Sequence, residues 1–264
     1  MILGHKLLGN GRERIFLYND WLADSSSWEP TLPYLDQTTF TYCLTDLRGY
    51  GRSIDLKGNY DEREAASDTV ELADHLGWDK FHLVGFSMTG MVVERLAIDV
   101  PNRIKSVVAV GPVSAAGIKM SDAERQFFVD VITDDEKCRQ LADRITGHRL
   151  SHEWQNVKLR LARETRTKEA ARGYLDMWTL HDFSKECGKS NVPFLIVGCK
   201  WDQPKFLEED MRNTFLRWHP EAKLIMMDCG HCPMQEMPIY LQTIMEQFLK
   251  EHAGRLALQR DWAG

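Results

Sequence analysis

Between Phe81 and Ala97 the chain passes from a short apolar run into a helix-spaced one, with a single serine at the join. Phe81, Leu83 and Val84 lead into Gly85, and Met91, Val92, Val93, Leu96 and Ala97 follow at helical spacing. Leu83-Val84-Gly85-Phe86-Ser87-Met88-Thr89-Gly90 therefore predicts a buried strand, a sharp turn and a helix, with Ser87 on the corner. A turn that tight needs small residues two before and two after the serine, so that strand and helix do not collide. Gly85 meets that demand fully and Thr89 in part. The first helical turn also leaves unbonded N–H groups near the serine, where negative charge develops when a hydroxyl attacks a carbonyl. A Gly-x-Ser-x-small string is equally an ordinary strand-to-helix corner, so a chemical reading needs partners elsewhere in the chain.

Those partners follow in the order serine, acid, histidine that such a turn demands. Pro193 to Gly198 reads as a buried strand, and Lys200-Trp201-Asp202 lies just past its end. Ala222 to Met227 reads as another, followed at once by Asp228-Cys229-Gly230-His231. Strand ends on one edge of a parallel sheet converge on one crevice, so Ser87, Asp202 and His231 can meet there as nucleophile, acid and base. His75, His148, His152, His219 and His252 sit among polar helical residues and read as solvated, His5 lies near the N-terminus, and His82 reads as a core or edge residue of the serine strand. His181, in Trp178-Thr179-Leu180-His181-Asp182-Phe183, is the remaining candidate to overhang the crevice.

Strand-like runs at 15–18, 40–45, 81–85, 104–110, 194–198 and 224–227 alternate with helix-like stretches near 29–35, 61–76, 88–99, 208–218 and 239–251. The alternation predicts an α/β fold with a mostly parallel sheet covered on both faces. Between residues 114 and 190 the strand signal vanishes and amphipathic helices take over. The expected organisation is a core of 1–113 and 191–252, a helical cap of 114–190 and a tail of 253–264 without periodic signal. Apolar stripes usually mark packing faces. An insertion that covers the crevice also supplies the wall that selects substrate, and Trp154, Met177, Trp178 and Phe183 are the candidates for it.

The chain has 264 residues, enough for one large domain, with a formal net charge of −6 and acidic and basic residues interspersed. That balance invites neither nucleic acid nor an anionic membrane. The N-terminus lacks a secretory pattern and no run reaches membrane-spanning length, so a cytoplasmic protein is the expectation. Six scattered cysteines do not form a disulfide framework. Cys229 and Cys232 match a redox Cys-x-x-Cys spacing, but late in the chain and directly before Pro233. No metal site is expected, because no second Cys/His pair stands at ligand spacing.

Together these motifs resemble the α/β-hydrolase superfamily, and within it the compact esterase and cofactor-free haloperoxidase-like branch. The resemblance runs from about Ile15 to about Leu249. It rests on Trp21 with Trp28-Glu29-Pro30, on Asp46-Leu47-Arg48-Gly49-Tyr50-Gly51-Arg52-Ser53, and on the Ser87 turn, Asp202 and His231. It implies an oxyanion hole from the backbone N–H groups of Trp21 and Met88, and no cofactor. Two positions depart from the pattern. Thr89 replaces a usual glycine, and Asn19-Asp20 replaces a common His-Gly, placing a carboxylate where negative charge should be welcomed.

The expected activity is hydrolysis of an ester, thioester or lactone of a small, largely apolar substrate through an acyl-enzyme. The alternative is a cofactor-free dioxygenase in which the His231–Asp202 dyad deprotonates a hydroxylated N-heteroaromatic ring and Ser87 only hydrogen-bonds. A third reading is a ligand sensor. The expected partner is a small-molecule substrate, with a homodimer left open.

Overall fold

The computed structural model describes residues 1–254. The remaining tail, expected to lack periodic structure, lies outside the described residues. Seven strands form one sheet: β1 (His5–Leu8), β2 (Glu13–Tyr18), β3 (Phe40–Thr45), β4 (Phe81–Phe86), β5 (Ile104–Val110), β6 (Phe194–Cys199) and β7 (Lys223–Met227). Their order across the sheet is β1-β3-β2-β4-β5-β6-β7, and every neighbouring pair is parallel except β1 with β3. β3, β4 and β6 are buried along their whole length, as their continuous apolar runs predict.

The chain reverses its direction across the sheet after β3. Right-handed crossovers then place the β2-to-β3 connection on one face and the later ones on the other. The former is a 3-10 segment, Ser25–Tyr34, and it packs against α10 (Pro238–Glu251). On the opposite face, α1 (Glu62–His75) packs against α2 (Thr89–Asp99), which lies on β4 and β5. The helix expected near residues 29–35 is 3-10 because Pro30 and Pro33 cannot donate the bonds of an α-helix. The single helix expected over 208–218 is two, α7 (Glu208–Asn213) and α8 (Phe215–Trp218), divided at the non-helical Thr214. α9 (Pro233–Glu236) follows the β7 loop.

Between β5 and β6 lie α3 (Asp122–Val131), α4 (Asp135–Arg144), α5 (His152–Glu164) and α6 (Lys168–Leu180). Each starts at a side-chain cap, from Ser121, Asp134, Ser151 and Thr167 respectively, and Ser121 with Glu124 forms a capping box. This insertion lies over the C-terminal edge of the sheet, where Tyr50 also bridges to Arg166. No helix among the described residues is long and apolar enough to cross a membrane.

Candidate active site

Ser87 sits between β4 and α2 in a left-handed conformation, φ 56°, which a residue with a Cβ adopts only when the surroundings hold it there. Its N–H donates to Val110 O at 2.9 Å, and its carbonyl accepts from Val113 N at 2.9 Å, so the next strand clamps the turn on both sides. Gly85 has no substitute at this corner: a Cβ there would come within 2.7 Å of Thr89 O and 2.9 Å of Val93. Thr89 does more than fit. Its hydroxyl accepts from Phe86 N and donates to Phe86 O, each at 2.8 Å, and lies 3.2 Å from Asn19 O, which joins the turn to the loop after β2.

His231 leaves β7 and Asp202 leaves β6, and the sheet brings both to Ser87. The serine hydroxyl donates to His231 Nε2 at 2.9 Å, and His231 Nδ1–H donates to Asp202 Oδ2 at 2.6 Å. The imidazole lies between two rings, Phe86 at 5.2 Å and Phe206 at 5.0 Å between centroids. Its backbone N–H donates to Ile145 O at 2.7 Å, tying the histidine loop to the end of α4. Gly111, at φ 46°, makes room for the ring, since a Cβ there would stand 3.3 Å from His231 Nδ1. Burial pushes the Asp202 carboxyl above its ordinary pKa, and the facing His231 opposes that shift.

Trp21 and Met88 line the same cavity, and no hydrogen bond to another described residue claims the backbone N–H of either one. Trp21 is held on several sides. Its indole N–H donates to Ala171 O at 2.8 Å, and its carbonyl accepts from Tyr50 Oη–H at 2.9 Å and Arg166 Nη1–H at 2.5 Å. The Arg166 guanidinium also lies over the Trp21 ring at 4.5 Å. Asn19 Nδ2 donates to Asp20 O at 2.8 Å, which polarises the very peptide that carries the Trp21 N–H and makes it the stronger donor. The Asp46-to-Ser53 loop supports this arrangement from below. Buried Asp46 accepts from Ser25 N and Arg52 N, and Tyr50 projects from the same loop. The Asp20 carboxylate is engaged: Oδ1 accepts from Ala23 N at 2.6 Å, and Oδ2 pairs with Lys158 Nζ at 3.5 Å.

The cavity at Ser87 is narrow, about 40 Å³, and apolar apart from Asp20, Ser87, Gln203 and His231. Its walls are Trp21, Leu22, Met88, Val113 and Phe206 from the core, with Phe128, Leu141, Ile145 and Trp178 from the insertion. An adjoining hollow of about 150 Å³ shares Phe128, Gln203 and Phe206 with it and opens past Phe127, Arg144 and Lys205. Of the four expected wall residues only Trp178 lines the cavity. Trp154 faces a separate surface groove with Pro30, Val157 and Met237. Met177 and Phe183 are buried away from it, the Phe183 ring lying beneath the Arg95 guanidinium at 5.3 Å. His181 turns to Glu62, 2.7 Å away, and does not overhang the cavity. All six cysteines are free; the Cys232 thiol is pushed up to about 12 by burial, the opposite of a redox-active thiolate. No group of three or more His, Cys, Asp or Glu side chains among the described residues could hold a metal ion.

Phe128, Leu141, Ile145, Gln203 and Phe206 escape sequence reasoning because each belongs to a stripe or loop indistinguishable from ordinary packing. Gly111 carried a signal: a glycine just past a buried strand in a chain with a converging site.

Comparison with known proteins agrees with this geometry. Over 109 residues the chain is 32% identical to a fluoroacetate dehalogenase from Burkholderia sp., covering 39% of this chain and 36% of that protein. Over 96 residues it is 33% identical to the pimeloyl-acyl-carrier-protein methyl ester esterase of Legionella pneumophila, covering 36% of each. The chain thus spans little more than a third of the length of the curated relatives it matches. Among solved structures, a bromoperoxidase from Bacillus anthracis superposes with a TM-score of 0.82 at 21% identity, over 93% of this chain and 94% of that one. The family model for the alpha/beta hydrolase fold matches residues 21–236. A turn-borne serine at the edge of a mostly parallel sheet, and a family match across most of the length, give one answer: the chain belongs to the α/β-hydrolase family.

Proposed function

We propose that the chain is a serine hydrolase that cleaves an ester, thioester or lactone of a small, largely apolar substrate through an acyl-enzyme. The observation that carries this reading is the continuous relay from Ser87 Oγ through His231 to Asp202, opening on a cavity lined by Trp21 and Met88, whose backbone N–H groups bond to no other described residue. In the cycle, His231 takes the Ser87 proton as Oγ attacks the carbonyl carbon, and the carbonyl oxygen becomes an oxyanion facing the N–H groups of Trp21 and Met88. The bond to the leaving group then breaks as His231 returns the proton to it. Water, deprotonated by the same imidazole, attacks the acyl-enzyme and regenerates Ser87. The helical insertion acts as a cap, and the narrow space at the serine restricts the group that sits there.

A dioxygenase would use the same dyad with Ser87 as a hydrogen-bonding neighbour only, so the 2.9 Å contact to Nε2 serves either reading and the reactivity of Ser87 divides them. The similarity to a methyl ester esterase agrees in direction with hydrolysis. The test is a fluorophosphonate probe followed by peptide mapping. Labelling confined to Ser87 is expected. An unlabelled Ser87 in folded protein, with oxygen uptake on a hydroxyquinolone, would replace this reading with the dioxygenase.

A further inference from the structure

One charge in the cavity wall has no role in the hydrolytic cycle. Asp20 immediately precedes the residue whose N–H faces the oxyanion, it borders the cavity, and only 3% of its surface is exposed. A fixed carboxylate so placed raises the energy of any second negative charge that develops nearby, and low local polarity strengthens the effect. Opposite it stands Lys158 of α5, with none of its surface exposed and Asp20 its only ion-pair partner among the described residues, at 3.5 Å. An ammonium buried that completely is very costly unless an anion compensates it. Burial pulls the Lys158 pKa down, and the Asp20 carboxylate, with Cys232 and Cys138 beside it, brings the balance above the ordinary value. The same part of the insertion sends a second cation to the next residue, since Arg166 donates to the Trp21 carbonyl. Two cations from above thus grip two consecutive residues of one loop.

We propose that Lys158 is a positioning residue for acyl transfer at Ser87: its ammonium holds the Asp20 carboxylate in place and cancels its charge, so that the Trp21 N–H meets the oxyanion without an opposing field. The insertion then completes the oxyanion hole electrostatically as well as roofing it. This inference rests on the serine-hydrolase reading.

The test compares Lys158→Met, Asp20→Asn and the double variant. Rates are measured both as fluorophosphonate labelling of Ser87 and as kcat and KM for p-nitrophenyl acetate, below each protein's melting temperature. Asn keeps an Oδ1 that accepts from Ala23 N. Lys158→Met should slow labelling and kcat about tenfold or more with KM nearly unchanged, short of the ~10²–10³-fold loss from deleting an oxyanion donor outright. Asp20→Asn should label at least as fast as the wild type, and the double variant should recover most of the rate lost in Lys158→Met. A merely structural tie predicts the reverse for Asp20→Asn: both single variants are slowed and destabilised alike. Folded Lys158→Met with wild-type kcat, or a double variant as slow as Lys158→Met, overturns the proposal. Should Lys158→Met fail to fold, Asp20→Asn decides, and labelling about tenfold slower than wild type overturns it. Absence of labelling in the wild type itself would instead defeat the hydrolase reading.

Discussion

The sheet carries a serine, a histidine and a carboxylate in contact at both of its ends. At the C-terminal end stand Ser87, His231 and Asp202. At the N-terminal end the Ser106 hydroxyl lies 2.8 Å from His82 Nδ1, and His82 Nε2 lies 3.1 Å from Glu13 Oε2. The residue types match, and the surroundings do not. Ser87 stands on a left-handed corner beside unclaimed N–H groups and a cavity. Ser106 and His82 stand inside β5 and β4, fully buried, at an irregularity in the pairing of the two strands and outside the cavity that Ser87 lines. The Glu13 carboxylate is also taken by Lys105 and Gly254 N, so its charge serves three partners. Among the described residues Asp202 accepts only from His231 and Gln203 N. Under the proposed function, what makes a relay of this composition reactive is access, a strained corner and donors left free by the described residues; without them it is a polar rivet across three strands.

The largest expected effect separates the two serines. Ser87→Ala should lower turnover of a short p-nitrophenyl ester by as much as about a million-fold, the scale seen when a triad serine is removed. Ser106→Ala should leave kcat within about twofold and cost about 1–3 kcal/mol of stability, from the polar ring nitrogen it leaves unpaired. Substantial hydrolysis by folded Ser87→Ala would erase the distinction. Next in size is His82→Leu, which removes both bonds of the buried ring and exposes the role of the N-terminal cluster. About 3 kcal/mol should be lost in denaturant unfolding, with kcat unchanged. A fall in kcat in folded protein would mean that the rivet reaches the active edge.

Gly111→Ala probes the proposed catalytic end without altering Ser87, Asp202 or His231. The new Cβ would press on the His231 ring from 3.3 Å at a φ that disfavours it. Turnover should fall about ten- to a hundred-fold, because small displacements of a catalytic group are expensive, alongside a loss of about 1 kcal/mol. Unchanged kcat would show that the ring position is held by Phe86, Phe206 and Asp202 alone.

The C-terminal cluster is legible in the sequence because each of its residues follows a strand whose apolar run is unmistakable, and topology then brings the three together. Ile104 to Val110 is read to the residue, while β1 is missed: His5-Lys6-Leu7-Leu8 is a short, half-exposed edge strand without alternation. The cavity wall is a different kind of information. Trp154 and Phe128 both lie on amphipathic helices, and only the packing of α3 to α6 against one another decides that Phe128 faces the serine and Trp154 the outside. Lys158 is the extreme case, since a lysine on such a helix reads as solvent-facing until the fold seals it against Asp20. The N-terminal cluster is equally silent, for its three residues come from strands that are neighbours only through a crossover.

The smallest expected effect is the one that shows the two clusters pulling in opposite directions with pH. Burial is the largest influence on Glu13 and alone would raise its pKa, but the bonds from His82 and Lys105 outweigh it and bring it down to about 2. Its contribution is therefore complete above the carboxylate range of the unfolded chain and disappears as the pH falls toward about 2. Burial lowers the His82 pKa, so below the ordinary histidine range the unfolded chain binds a proton that the folded one refuses, and stability falls there too. Asp202 has the other sign: its carboxyl is raised, so its contribution is present at low pH and is lost as the pH rises and the group must ionise in the fold. The C-terminal end thus costs stability at neutral pH where the N-terminal end supplies it. Denaturant unfolding of the wild type should lose of order 1–2 kcal/mol between pH 7 and pH 5, and that loss should shrink in His82→Leu to the part left by His252, whose pKa burial also lowers. Asp202→Asn should stand level with or above the wild type in stability at pH 7 and hydrolyse the ester about 10⁴-fold more slowly. Parallel pH curves for the wild type and His82→Leu would show that the buried N-terminal histidine is not what titrates, and would remove the pH argument for treating the two ends as opposites.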